Sequence, residues 1–293
     1  MEHSVTIKAA LKGLVVAAGV LAATSSAQAG NIVLSGHDIL LHGGGDGYDG
    51  VILDYLRGDI GSGPTVAKAG YSIAIVGSDA GFASFSDSGG SGNFTGAAAA
   101  TGNAIALTGT LAGYSGAKYY NTDSADWSSV LANDALIILS HTNCGGCDLS
   151  TAGSAVVNAN SAAIATAFNA GMDIWGGAGA NLGTYYDFLP AGVVATGASI
   201  SGSDFTATPA GVGLGITAVM TDGDATHNRF TSQAAAFTVL ECRTTACTEV
   251  VTIGAQNVNI GGGGLTPVAE PGTLALFGLG LAGLGFARRR KVA

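Results

Sequence analysis

The stretch Ala135-Leu-Ile-Ile-Leu-Ser140 is the strongest constraint on what this chain can fold into. It is too short for an ordinary helix and shows no polar alternation, so it needs apolar cover on both faces. That is the requirement of a strand inside a parallel sheet, where helices pack above and below. The flanking sequence supplies such a helix. An Ala-rich segment over residues 154–170 predicts one, and Gly171 is its natural terminator. Residues 172–175 then predict a short strand, followed by a glycine turn, Gly176-Gly-Ala-Gly-Ala-Asn181.

The same order recurs nearer the start. Residues 31–41 predict a strand interrupted at Gly36, leading into the glycine loop that holds His42 and Asp46. Residues 48–57 place Val51, Ile52, Tyr55 and Leu56 on one helical face, and residues 71–77 form another apolar strand. Strand, loop, helix and strand compose a βαβ unit. Residues 81–116, rich in Ser, Gly, Ala and Thr, predict an irregular insertion. Strand character returns at 117–121, before a helix around Trp127 capped by Asp123 or Ser124. From Pro190 onward β-type segments dominate, at 192–199, 213–220, 236–241 and 249–260, and residues 261–266 read as a flexible linker. The expected fold class is therefore α/β, a mostly parallel, flavodoxin-like sheet with helices and a β-rich C-terminal part.

The two ends have a different character. Residues 1–29 carry Lys8 and Lys12, an apolar stretch over 14–23, and Ala27-Gln28-Ala29 before Gly30. This is the order of a secretory signal with its cleavage site, and it hands the chain to the secretion machinery. Residues 30–264 then form an exported passenger and residues 265–293 a tail. The 48 glycines do not make that passenger disordered, because 47% of the chain is hydrophobic and only 11% charged, the reverse of disordered composition. Setting aside the signal and the terminal basic cluster leaves five basic residues against 19 acidic, a balance of −14. Nucleic acid is thereby excluded as a partner, since phosphate binding needs concentrated Lys and Arg.

The tail has three parts: Glu270-Pro271-Gly272-Thr273, an uncharged apolar run over 274–287, and Arg288, Arg289, Arg290 and Lys291. Pro271 and Gly272 oppose helix continuation, the apolar run partitions into lipid, and the basic cluster stays cytoplasmic. The run is short of the 17–25 apolar residues or so that a permanent span takes, and four glycines interrupt it. This arrangement resembles the PEP-CTERM sorting tail of Gram-negative exported proteins. The resemblance implies transient inner-membrane insertion and processing by an exosortase near Glu270 and Pro271. Where the pattern has its first proline this chain has Ala269, which puts efficient recognition in question. Family context also implies a role near secreted polysaccharide in the extracellular matrix, as in biofilm.

The middle of the passenger resembles the class I glutamine amidotransferase-like fold through the strand at 135–140, the helix at 154–170 and the strand running into the glycine elbow. The resemblance implies a Cys nucleophile between two close glycines. Here that position is Ala178, which has none. His141, Cys144 and Cys147 have the spacing of three zinc ligands, with Asp148 or His227 as a fourth. An exported location favours disulfides instead. Cys242 and Cys247 complete the four cysteines, which allow three pairings. The local pairs are preferred because each lies in its own turn-like segment. Asp46 with Asp49, and Asp222 with Asp224, sit in acidic turns able to ligate Ca²⁺, although Asp-Gly is commonly a plain turn. No cofactor is expected, with Ca²⁺ and Zn²⁺ as the metals to test. The passenger reads as a non-catalytic binding or structural domain. The rival is an amidotransferase-like or metal-dependent hydrolase acting on cell-surface glycans, with His141 and His227 in its site.

Overall fold

The computed structural model describes residues 29–37, 47–58, 71–78, 118–123, 125–142, 149–197, 200, 204–222, 226–261, 264–267 and 281. Ala29–Pro267 form one compact unit, and the two chain ends, Met1–Gln28 and Val268–Ala293, group separately. In chain order the elements are β1 (Gly30–Ser35), α1 (Tyr48–Leu56), β2 (Ile73–Gly77), β3 (Lys118–Asn121), α2 (Trp127–Val130) and β4 (Ala135–Ile138). There follow α3 (Thr151–Ala159), α4 (Ser161–Asn169), β5 (Asp173–Gly176), β6 (Val194–Thr196), β7 (Phe205–Ala207), α5 (Pro209–Leu214) and α6 (Ala218–Asp222). The chain closes with β8 (Phe230–Gln233), β9 (Thr238–Arg243), β10 (Glu249–Gly261) and β11 (Gly264–Pro267).

All these strands join one mixed sheet in which β3-β2-β4-β5-β1 run parallel and β10 pairs antiparallel with β1. Strand alternation fixes which side chain faces which layer. Val33, Ile75, Ile137 and Trp175 point to one face, where Ile52 and Leu56 of α1 cover them. Ile32, Leu34, Val76, Ile138 and Ile174 point to the other, under Val157 of α3 and Ile164 and Phe168 of α4. Beyond β1 the sheet turns antiparallel: β10 also pairs with β8, β9 and β11, while β6 extends β8 and β7 extends β9.

Several expectations need correction. The flavodoxin-like description fits only the five-stranded parallel half, because the remaining strands pair antiparallel around β10. The first βαβ unit is not a neighbouring pair. β5 and β4 lie between β1 and β2, since β1 takes β10 on its outer side. The single helix expected over 154–170 starts earlier and is two helices, α3 and α4. The break is Asn160, whose backbone leaves helical geometry (φ −93, ψ 8) while its side-chain amide donates to Val156 O at 2.9 Å. Residues 213–220 are not a strand. Thr208 accepts from Gly211 N and Pro209 opens α5, Gly215 ends it at φ 100, and α6 follows. Residues 264–267, expected within or beside a linker, form β11 in register with β10, Ile260 opposite Leu265. The cap of α2 is Asp126, which accepts from Ser128 N, rather than Asp123 or Ser124. The first strand stops at Ser35. The insertion at 81–116 lies outside the described residues.

Candidate functional site

In an open α/β sheet, ligands gather at the carboxyl ends of the parallel strands. Here that edge is formed by Ser35 at the end of β1 with Gly36 and His37 after it, Ser78 after β2, Ser140 and His141 after β4, and Gly177 to Asn181 after β5. The turn after β5 is fixed by its neighbours. Gly177 N donates to Ile138 O at 3.0 Å, Ala178 N to Ser140 Oγ at 2.8 Å, and Gly179 N to Asn228 Oδ1 at 2.7 Å. A Cβ on Gly177 would lie 2.4 Å from Ser140 Oγ, so the close approach requires glycine. Two tyrosines lock the turn from the following segment: Tyr185 OH donates to Leu139 O at 2.9 Å and Tyr186 OH to Gly177 O at 2.7 Å. Ala180 and Asn181 then leave it in the left-handed region, φ 45 and 69.

An open cleft of about 200 Å³ lies beside this turn, lined by Gly179, Asn181, Leu182, Thr196, Gly197 and Asn228, among others. No lining side chain is charged. Asn228 is buried. Its carbonyl oxygen accepts from Gly179 N, and its side-chain amide lies against the Tyr186 hydroxyl.

A second polar centre sits where β1, α1, β9 and β10 meet. His37, Tyr48, Glu241 and Thr252 are all fully buried. Tyr48 OH donates to Glu241 Oε2 at 2.5 Å, and His37 Nε2 lies 3.7 Å from the same oxygen. The other ring nitrogen of His37 is 2.9 Å from Thr226 Oγ1, and Phe205 packs edge-on at 5.4 Å between ring centres. Burial, and next the Glu241 charge, push the Tyr48 phenol well above its ordinary range, so it stays protonated and donates. With no solvent exposure at its members, this centre ties together elements far apart in sequence.

A third group lies at the opposite edge of the sheet, where β5 begins. Asp173 is 6% exposed and accepts from Asn31 N at 2.8 Å and from Tyr71 OH at 2.7 Å. Burial pushes its carboxyl up to about 7. Nearby Asp134 adds to the rise, while the Tyr71 and Asn31 hydrogen bonds oppose it.

The residues expected from sequence are scattered among these features. Ala178 is fully buried, with only a methyl group where the amidotransferase resemblance implies a nucleophile. His141 is buried, its Nε2 is 3.0 Å from Thr151 Oγ1, and burial lowers its pKa, which favours the neutral ring. His227 is half-buried, and its backbone N–H donates to Gly36 O at 2.8 Å. Asp49 is buried in the first turn of α1, and Asp222 closes α6. Asp46, Asp224, His42, Cys144, Cys147 and Asp148 lie outside the described residues, as do Ala27, Glu270, Pro271, Gly272 and Arg288 to Arg290. Among the described residues no group of His, Cys, Asp and Glu is placed to hold a metal ion. Cys242 and Cys247 are joined as a disulfide across the β9–β10 turn, Cα to Cα 4.8 Å, the local pairing preferred from sequence.

His37, Tyr48, Glu241, Asp173 and Asn228 were not among the expected site residues. Their partners lie far away along the chain, 193 residues for Tyr48 and Glu241, so no local spacing betrays them. A charged residue inside an apolar run, as at Asp173 and Glu241, is the one available hint.

Among the described residues no helix is long and apolar enough to cross a membrane, and the 274–287 run lies outside them except for Leu281. No curated protein and no solved structure matches the chain, so the amidotransferase-like resemblance gains no support from either. Residues 267–291, by contrast, match the PEP-CTERM protein-sorting motif, which marks the chain for export and exosortase-mediated sorting toward the cell surface.

Proposed function

We propose that the passenger is a non-catalytic binding or structural protein of the extracellular matrix, delivered by its tail and associated with neutral exopolysaccharide. The observation that carries the reading is the sorting motif at 267–291, which sets the destination. The uncharged cleft beside Asn228 supports a ligand recognised through hydrogen bonds rather than charge. The acidic balance disfavours anionic polymers. The hydrolase reading draws no support from Ala178, from His141 bonded to Thr151, or from Asp49 buried in a helix.

One experiment with two readouts tests this. Exported protein is recovered from cells with an active exosortase, weighed by mass spectrometry, and titrated with the neutral polysaccharide those cells secrete. The expected result is a chain truncated near Pro271 that binds polysaccharide, with affinity reduced at least ~10-fold in Asn228→Ala, the loss of one ligand hydrogen bond in a buried site. Recovery of chains still carrying Arg288 to Arg290 would sink the sorting step. Absence of binding would sink the ligand class.

A further inference from the structure

We propose that Asp173 is the docking site for the α-ammonium group that leader removal creates at Gly30. The inference rests on the reading that the leader is cut after Ala29.

The placement begins with the sheet. β1 starts at Gly30 and β5 at Asp173, and the two strands are parallel neighbours with Ile32 opposite Ile174. Both strands therefore present their first residues at the same edge. Asn31 N already donates to Asp173 Oδ1 at 2.8 Å. The Gly30 nitrogen is one residue upstream, ~3–4 Å from that of Asn31 by backbone geometry. It is thus within the range of roughly 6 Å over which opposite charges couple strongly. Gly30 is also pressed into place: a Cβ there would lie 2.4 Å from Met172 O and 2.6 Å from the Phe168 ring. The residue next to the cut is held against the segment that carries the carboxylate.

Among the described residues, Asp173 has no paired cation. It is 6% exposed, its two oxygens are held by Asn31 N and Tyr71 OH, and among the described residues no basic side chain forms an ion pair with it. The groups facing it are Tyr71, ahead of β2, and Asp134, ahead of β4. Asp134 O accepts from Asp173 N at 2.8 Å, and its carboxylate takes Ser72 N and Ser72 Oγ. The nearby end of α1 carries Arg57, which pairs with Asp54. A buried carboxylate whose charged neighbour among the described residues is another acid is costly unless a positive charge arrives.

Cleavage supplies that charge. In the uncut chain the Gly30 nitrogen is a neutral amide. Hydrolysis by a leader peptidase adds water across the Ala29–Gly30 bond. The hydroxyl goes to the Ala29 carbonyl carbon, which leaves as carboxylate, and the protons go to Gly30, which gains an ammonium. An α-amine of ordinary pKa, about 7.7–8.0, is charged at neutral pH and can pair with Asp173 without leaving its strand. Processing then converts an unfavourable buried acid into an ion pair.

The test uses the exported protein. N-terminal sequencing comes first, and a start at any residue other than Gly30 overturns both the cleavage reading and the docking. With Gly30 established, its amine is titrated by NMR in protein labelled with ¹⁵N-glycine. The expected pKa lies at least one unit above the ordinary value, which corresponds to acylation ~10-fold slower below about pH 7, where both amines are mostly protonated. An amine titrating at or below the ordinary value overturns the docking and leaves the cleavage reading intact. Asp173→Asn should return the amine to ordinary behaviour and Asp173→Glu should retain part of the shift. The wild-type titration decides the matter even if either variant folds poorly.

Discussion

Asp173 is where a single ionisable group couples stability to pH. In a chain that keeps residues ahead of Gly30, its folded carboxyl titrates near 7 against 3.8 for an exposed one, because burial favours the protonated form. The stabilisation is fully present below pH 3.8 and is lost as pH rises through 7, an effect of at most about 4 kcal/mol. Urea midpoints between pH 4 and 8 should therefore fall more steeply in leader-bearing wild type than in leader-bearing Asp173→Asn. Equal slopes would show that Asp173 is solvated like a surface acid. Sterics give a second residue-level prediction. A Cβ on Gly36 would lie 2.1 Å from the backbone oxygen of Asn228, which cannot swing aside, whereas one on Gly183 meets nothing within 4 Å. Gly36→Ala should lose about 1–3 kcal/mol and Gly183→Ala less than about 0.5 kcal/mol by chemical denaturation. Neither demand is written locally in the sequence: Gly36 looks like any loop glycine until residue 228 is folded against it.

At the scale of elements, the readable parts are those whose burial is total. Ala135–Ile138, Ile73–Gly77 and Asp173–Gly176 are short apolar runs with both faces covered, and the sequence names them within a residue or two. The misreadings have local causes. Val, Ile and Thr in 213–220 imitate a strand, although Thr208 and Pro209 upstream already start a helix. The Ala-rich run over 154–170 has no Gly or Pro to announce a break, yet the Asn160 side chain donates to Val156 O in the preceding turn while its backbone leaves helical geometry. The order of the sheet was the least legible, because β10 pairs with four strands that share no sequence signal. The candidate site was legible as an edge, through the turns after β4 and β5, and illegible as a set of side chains. One element-level prediction concerns the β9–β10 turn, where Cys242 and Cys247 close a short loop. Replacing both by serine should cost about 2 kcal/mol on the chain-entropy estimate, with the far-ultraviolet spectrum unchanged. A loss above about 4 kcal/mol would mean that the bond holds more than its own turn.

Taken whole, residues 29–267 are knit by β10, which pairs with β1 on the parallel side and with β8, β9 and β11 on the antiparallel side. The buried contact of Tyr48 with Glu241 crosses the same seam. Neither half has a complete sheet without that strand, so thermal unfolding should be one transition. Native-state hydrogen exchange should give the amides of Ile75 and Ile253 the same opening free energy. Two separated transitions would show that the halves are independent. The seam also sets a schedule. Ile32 and Ala255 are partners across the sheet, so the N-terminal strand cannot settle until nearly the whole passenger exists. At ~5–20 residues per second, synthesis alone delays that pairing by roughly 10–45 s. During this interval the sheet is incomplete. The last strands to emerge, β10 and β11, are therefore the ones that close the fold, next to the sequence that directs its sorting.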